Sequence, residues 1–219
     1  MVVITELSPS SYDVFLSFRG VDTRLSFVDH LHHALIDANL KTFLDDDEIE
    51  TGDDLRPELK RAIRESRASV IVLSTNYASS TWCLDELVLI LERRLTSDHL
   101  VIPIFYHVEP THVRKQESSF GVAMEEHKRR LLEAEANTQK RSPVAEKING
   151  WSKALTEVAQ VKGKDAKSRY VNHFQYYKKD KYLLKILTIL QGLGSYYFYC
   201  YHSLVRCVGV TRCLKFILK

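Results

Sequence analysis

Apolar and polar residues alternate in blocks along this chain, and the blocks repeat as strand, loop, helix. Residues 12–18, YDVFLSF, form a short run rich in aromatic and branched side chains that predicts a strand. After it, Phe27, Leu31, Ala34, Leu35 and Ala38 recur at helical spacing, and residues 19–24, RGVDTR, read as the loop between the two. A second strand is predicted at residues 41–44, followed by a long acidic loop, DDDEIETGDD, at residues 45–54. A helix carrying Leu55, Leu59, Ala62 and Ile63 closes it. Pro57 falls in its first turn, where a missing N–H costs nothing.

The third unit is the most strongly marked. Val70, Ile71, Val72 and Leu73 make a buried strand within residues 68–74, and Leu84, Leu87, Val88, Leu91 and Leu95 mark a helix starting near Trp82. Polar residues 75–81 form the loop between them, with Ser80 or Thr81 placed to cap the helix. A fourth strand, LVIPIFY at residues 100–106, precedes a polar segment, 107–116, that reads as a loop. Phe120, Ala123, Met124 and His127 predict another helix. Val144, Ile148, Trp151, Leu155 and Val158 predict a last one, with residues 133–142 as its exposed approach. Residues 1–10 form a short leader, and no internal repeat is present.

Strands alternating with helices at this spacing predict an α/β fold, a parallel sheet with helices on both faces. Open sheets of that kind bind ligands outside the carboxyl ends of their strands. Glu86 lies there, in the first turns of the helix after the third strand. Asp85 and Glu86 also have a plainer reading, as acids complementing the positive end of a helix.

Composition narrows the class. With 219 residues, 45% hydrophobic and 27% charged, the chain can build one ordinary domain and an appendage and is not disordered throughout. Its net charge of +3 hides an asymmetry: residues 164–219 carry +9 and residues 1–163 carry −6. Cys83, Cys200, Cys207 and Cys213 have neither the density of a disulfide scaffold nor paired zinc-ligand spacing, so reduced thiols are expected. No signal-peptide pattern opens the chain, which points to the cytoplasm, the nucleus being the other compartment left open. No phosphate-loop or dinucleotide glycine motif occurs among the 8 glycines, which argues against an ATPase or a hydride-transfer enzyme. His30, His32 and His33 lack partners at known ligand spacing, so no metal is expected, and His99, His107 and His112 read as loop residues.

Five blocks then occur in a telling order: SYDVFLSFRGVDTR, FLDDDEIETGDDLRPELKRAI, STNYASSTWCLDEL, VIPIFYHVEPTHVRKQ and WSKALTEVA. Together they resemble plant-type Toll/interleukin receptor (TIR) domains, as found at the front of intracellular immune receptors. The resemblance delimits a domain at residues 11–161 and a divergent basic and apolar tail at 162–219. It implies a flavodoxin-like sheet and, for many members, cleavage of the nicotinamide–ribose bond of NAD+, with NAD+ as substrate and no bound cofactor. It also implies that Glu86 is the catalytic residue. The chemistry is coherent, because nicotinamide is already a cationic leaving group. What its departure needs is negative charge beside an oxocarbenium-like ribose, which a carboxylate supplies.

The resemblance further assigns Arg19, Gly20, Arg24, Ser80, Trp82 and Cys83 to the substrate side. Guanidinium groups suit phosphates, and a glycine permits close backbone approach. Arg19 and Arg24 also read as ion-pair partners of the acidic loop, Trp82 as a base-stacking platform or as core packing, and Cys83 as a buried, inert thiol. Asp46, Asp47, Glu48 and Gly52 lie in what resembles the family's mobile gating loop, which contacts neighbouring subunits. Asp29 and His30 stand where many members carry a Ser-His pair at a self-association surface, and a carboxylate repeated across a two-fold contact would repel its mate.

Beyond residue 161 the tail gives no match to the family's final strand and helix. Leu183, Leu184, Ile186, Leu187, Ile189 and Leu190 suit a helix laid against the sheet. Residues 186–205 have the length of a membrane span, but Gln191, His202 and several glycines and tyrosines argue against one. No specific nucleic-acid partner is expected, nor a nucleotide-binding or leucine-rich-repeat domain, so the chain resembles a TIR-only or truncated form. The function expected is an NAD+ hydrolase of plant innate immune signalling, activated by self-association with other TIR domains. The alternatives are a non-catalytic TIR–TIR adaptor and a decoy.

Overall fold

A computed structural model describes residues 12–44, 56–97, 99–138, 144–161 and 164–166. Its core is a sheet of β1 (Tyr12–Phe18), β2 (Thr42–Leu44), β3 (Ser66–Leu73), β4 (Leu100–Tyr106) and β5 (Lys164–Ala166). All pair in parallel, in the order β2-β1-β3-β4-β5. This is the flavodoxin-like order, in which the chain leaves β1 in one direction and returns to β3 on its other side. The crevice at the carboxyl ends of β1 and β3 is therefore the switch point of the fold.

Alternation along each strand divides the core in two. Val14, Leu16 and Phe18 of β1, Val70 and Val72 of β3, and Ile102 and Ile104 of β4 form one buried cluster. They pack with Leu31 and Leu35 of α2 (Asp29–Asp37). Phe15, Ile71 and Leu73 join the other cluster with α3 (Pro57–Glu65), α4 (Thr81–Thr96) and α7 (Val144–Val158). Helices thus cover both faces, as the pattern predicts. Ser17 follows Phe15 at the two-residue strand period and so points toward α4.

Four expectations change. Residues 19–24 are not a plain loop, because α1 (Gly20–Thr23) begins one residue after β1 and runs through a π-type turn, Arg24–Val28, into α2. Thr23 Oγ1 donates to the Arg19 carbonyl at 3.0 Å and fastens that first turn. Segment 107–116 contains α5 (Pro110–Lys115), whose proline at the start needs no N–H partner. Its one buried side chain is Val113, and His112 belongs to it. The next helix, α6 (Ser118–Thr138), takes in the first part of the expected approach at 133–142. Finally, β5 supplies a last strand where the sequence offers no match: Lys164, Asp165 and Ala166 pair with Ile104, Phe105 and Tyr106. The leader, the acidic loop 45–54 and the rest of the tail lie outside the described residues.

His99 precedes β4, as a loop residue should, but it is buried. Its Nδ1 lies 3.1 Å from the Ser66 carbonyl, which can only accept, so Nδ1 carries the proton. Nε2 then accepts from Ser69 Oγ at 2.8 Å. Burial is the main cause that lowers its pKa to about 4; the Ser66 carbonyl opposes it and the Arg93 charge adds to it.

Unfolded, the same imidazole titrates near 6.5, so between those values the unfolded chain binds a proton that the folded one refuses. Stability contributed by neutral His99 is complete above the unfolded value and lost as pH falls toward 4. Urea midpoints between pH 7 and pH 4 should record a loss of up to about 3 kcal/mol. His99→Gln should lose less over the same range; an equal loss in the variant would show that other groups carry it.

Candidate functional site

Two loops meet at the switch point. After β3, the chain makes a 3-10 turn at Tyr77–Ser79 and extends through Ser80, whose Oγ accepts from the Cys83 N–H at 3.3 Å and caps α4. Ser80 is thus the cap of the two predicted candidates. The cap fixes where α4 starts and so which side chains face the sheet. Trp82, Cys83 and Glu86 are all buried, and Trp82 and Glu86, four residues apart, share one side of the helix.

Glu86 is only 6% exposed. Its Oε2 accepts a 2.6 Å hydrogen bond from Ser17 Oγ, a hydroxyl 69 residues earlier on β1. Ser17 Oγ also lies 2.8 Å from Tyr77 Oη, and Tyr77 Oη donates to the Cys83 carbonyl at 3.0 Å. Burial first, then the neighbouring Cys83 and Glu86, hold the Tyr77 phenol well above its ordinary pKa, against the opposing bond from Ser17. Tyr77 therefore stays a neutral donor. The chain from Glu86 through Ser17 and Tyr77 to Cys83 joins β1, the 3-10 turn and α4.

Asp22 ties the same two loops together nearer the surface. Its Oδ2 accepts from Ser74 Oγ at 2.5 Å and from the Asn76 N–H at 2.8 Å, and its Oδ1 accepts from Asn76 Nδ2 at 2.8 Å. Burial alone would raise this carboxyl's pKa; the bonds from Ser74 and Asn76 and the Arg19 charge outweigh it and hold it below the usual value.

The neighbouring acid, Asp85, faces α7. Its Oδ1 accepts from Trp151 Nε1 at 2.7 Å, and Lys147 Nζ lies 3.2 Å from Oδ2 and 5.2 Å from the Trp151 ring centre. His127 Nε2, 2.8 Å from the Ala78 carbonyl, fastens α6 to the 3-10 turn. Asp85 and Glu86 thus have separate partners, Asp85 on α7 and Glu86 on β1, more than a shared interaction with the helix dipole requires.

Of the residues assigned from sequence, Arg19, Gly20 and Arg24 follow β1 while Ser80, Trp82, Cys83 and Glu86 follow β3, and adjacent strands bring the two groups to one edge. Cys83 is buried, with Sγ 3.4 Å from the Phe18 carbonyl, which bonds the start of α4 to the end of β1. The Arg24 guanidinium lies 5.2 Å over the Phe18 ring. Trp82 is packed into the core, and Arg56 lies over its ring at 5.7 Å. Asp29 and His30 instead open α2, on the other face of the sheet from α4. His33 Nδ1 is 3.4 Å from Asp29 Oδ1. Asp46, Asp47, Glu48 and Gly52 lie outside the described residues.

Sequence reasoning missed Ser17, Tyr77 and Asp22. Ser17 had a signal, a lone hydroxyl near the end of an apolar strand; Tyr77 and Asp22 had none. Among the described residues no cluster of His, Cys, Asp or Glu is arranged to hold a metal, and no helix is long and apolar enough to cross a membrane. A buried carboxylate held by a hydroxyl at a sheet's carboxyl edge can stabilise a developing cation, since negative charge acts strongly where water is excluded.

Comparison with known proteins agrees with this architecture. The family model of the TIR domain matches residues 11–174. The chain is 51% identical over 154 residues to disease resistance protein RPV1 of Vitis rotundifolia, covering 70% of this chain and 10% of that protein. It is 48% identical over 153 residues to TMV resistance protein N of Nicotiana glutinosa, covering 70% of this chain and 12% of that protein. The chain thus spans about a tenth of the length of these relatives. Among solved structures, the TIR domains of the activated Roq1 resistosome, which recognises the pathogen effector XopQ, align with a TM-score of 0.68 at 43% identity. The alignment covers 82% of this chain and 99% of that one.

The Asp22 clasp generates a direct expectation. Asp22→Ala removes the acceptor for three donors, and urea denaturation at neutral pH should record a loss of about 1–3 kcal/mol. An unchanged midpoint would mean that the two loops hold together without it.

Proposed function

The chain belongs to the TIR domain family, and on that premise we propose that it is an NAD+ hydrolase of plant innate immune signalling. The observation that carries this reading is the burial of Glu86 at the switch point with its carboxylate held by Ser17. As the nicotinamide–ribose bond lengthens, positive charge develops on the ribose while nicotinamide leaves as a neutral base. A fixed carboxylate beside the anomeric carbon stabilises that charge without having to reorganise. Water then attacks the anomeric carbon and loses a proton, giving ADP-ribose.

Arg19 and Arg24 serve the phosphates in this proposal, and Gly20 lets the backbone approach them. Ser80, Trp82 and Cys83 set the shape and position of the α4 end of the site, acting through packing and capping rather than through an open stacking face. The acidic loop with Asp46, Asp47, Glu48 and Gly52 contributes to the site of a neighbouring copy, and Asp29 and His30 belong to the assembly surface. The partners are other TIR domains, and the compartment is the cytosol. Relatives named for disease resistance, and a TIR-bearing resistosome among the solved structures, support the defence context and the assembly.

A second reading, a TIR–TIR adaptor without catalysis, draws on the same relatives. Nicotinamide release from NAD+ by the full chain separates the two. Glu86→Ala should lower the rate at least ~100-fold, and the wild-type rate should rise more steeply than linearly with protein concentration. Equal rates in wild type and Glu86→Ala would remove the enzyme reading, and a strictly proportional rise would remove activation by assembly.

A further inference from the structure

We propose that Ser17 and Tyr77 are positioning residues that fix the orientation of the Glu86 carboxylate. The inference deepens the reading of Glu86 as the catalytic group and rests on it.

It starts from a count of protons. The Cys83 carbonyl and an ionised Glu86 can only accept, so the protons of the intervening chain come from two hydroxyls. Ser17 spends its one proton on Glu86 Oε2, at 2.6 Å, the shortest link in the chain. Tyr77, held as a phenol, has one proton for two acceptors, the Cys83 carbonyl at 3.0 Å and Ser17 Oγ at 2.8 Å. Shared between the Cys83 carbonyl and Ser17 Oγ, that proton also fills the gap between the two hydroxyl oxygens, so it disfavours the Ser17 hydroxyl turning back toward Tyr77 and keeps the serine proton on Glu86. The far end is backbone in the first turn of α4, the helix that carries Glu86 itself.

The linkage closes a loop: α4 orients Tyr77, Tyr77 orients Ser17, and Ser17 orients a side chain one turn along α4. Ser17 and Tyr77 are fully buried, so no bulk water can replace either hydroxyl. A glutamate has three rotatable side-chain bonds, and burial alone would leave its carboxylate free to turn about the last of them. Displacement of a reacting group by about 1 Å can cost ~100-fold in rate. A donor from the neighbouring strand removes that freedom because β1 does not move with α4's side chains.

Both residues act through Glu86 and touch no reacting atom. Ser17→Ala should therefore lower kcat ~10- to 100-fold with KM changed less than ~3-fold, because substrate is held elsewhere. Tyr77→Phe, which leaves the Ser17 donor in place, should lose less, ~3- to 10-fold. Ser17→Thr, which keeps the hydroxyl, should recover most of the kcat lost in Ser17→Ala. Paired losses in kcat and KM, or no rescue by threonine, would overturn the proposal in favour of general damage to the fold.

A readout without turnover separates this proposal from the one it rests on. In the full chain labelled with 13C at glutamate carboxyls, the Glu86 signal is assigned by its disappearance in Glu86→Ala. It should move in Ser17→Ala and move less in Tyr77→Phe, while the other glutamate signals stay in place. An unmoved Glu86 signal overturns the positioning role even if NAD+ is cleaved. A moved signal in a chain that releases no nicotinamide supports the hydrogen-bond linkage and leaves the enzyme reading as the one that failed.

Discussion

Placing a carboxylate among apolar side chains costs several kcal/mol unless donors meet it, and the structure around Glu86 follows from that constraint. Glu86 occupies a core-facing position of α4, next in helical period to Leu87 and Ile90, where another apolar side chain would pack without penalty. The Ser17 hydroxyl meets it from β1, Tyr77 backs Ser17, and the Cys83 carbonyl backs Tyr77. Two segments that are distant in sequence, β1 and the stretch from Tyr77 to Glu86, must be in register for these bonds to form. Any shift of α4 along the sheet would break the Ser17 bond.

The fold supplies that register in layers. Parallel pairing of β1 with β3 sets Phe18 beside Val72, so the chain leaves both strands at the same edge. Asp22 then fastens the two exits to each other, Ser80 fixes the first turn of α4, and Asp85 anchors that helix to Trp151 of α7. Each bond is modest alone, worth about 1 kcal/mol for a neutral pair and up to about 3 kcal/mol for one to a charged group. Together they define the position of one side chain from several directions. A site built on a strand and a helix, with its connecting loops fastened as well, gains its precision in this way.

What could be read from the sequence divides along the range of the interactions involved. β1 and β4 are legible because YDVFLSF and LVIPIFY are short runs rich in aromatic and branched side chains, and the cap at Ser80 is legible because capping acts over three residues. Two elements are too short to show a period. α5 buries only Val113 across six residues, and β5 is the polar tripeptide KDA, held by its pairing with β4. Glu86 itself was found through its place after an apolar strand and through the TIR-like blocks around it. Its donor was not, since 69 residues separate Ser17 from it and no local pattern records which buried hydroxyl faces which helix. Trp82 was ambiguous in the sequence, and its burial under Arg56 favours packing.

In the proposed reaction the nicotinamide ribose of NAD+ meets Glu86 at the carboxyl edge of β1 and β3. A crystal structure of the full chain with a non-cleavable NAD+ analogue tests it most directly. The account predicts the anomeric carbon in contact with the Glu86 carboxylate and the phosphates on the Arg19 and Arg24 side of the crevice. An analogue bound at another surface, with Glu86 still enclosed by Ser17 and away from the ligand, would contradict it.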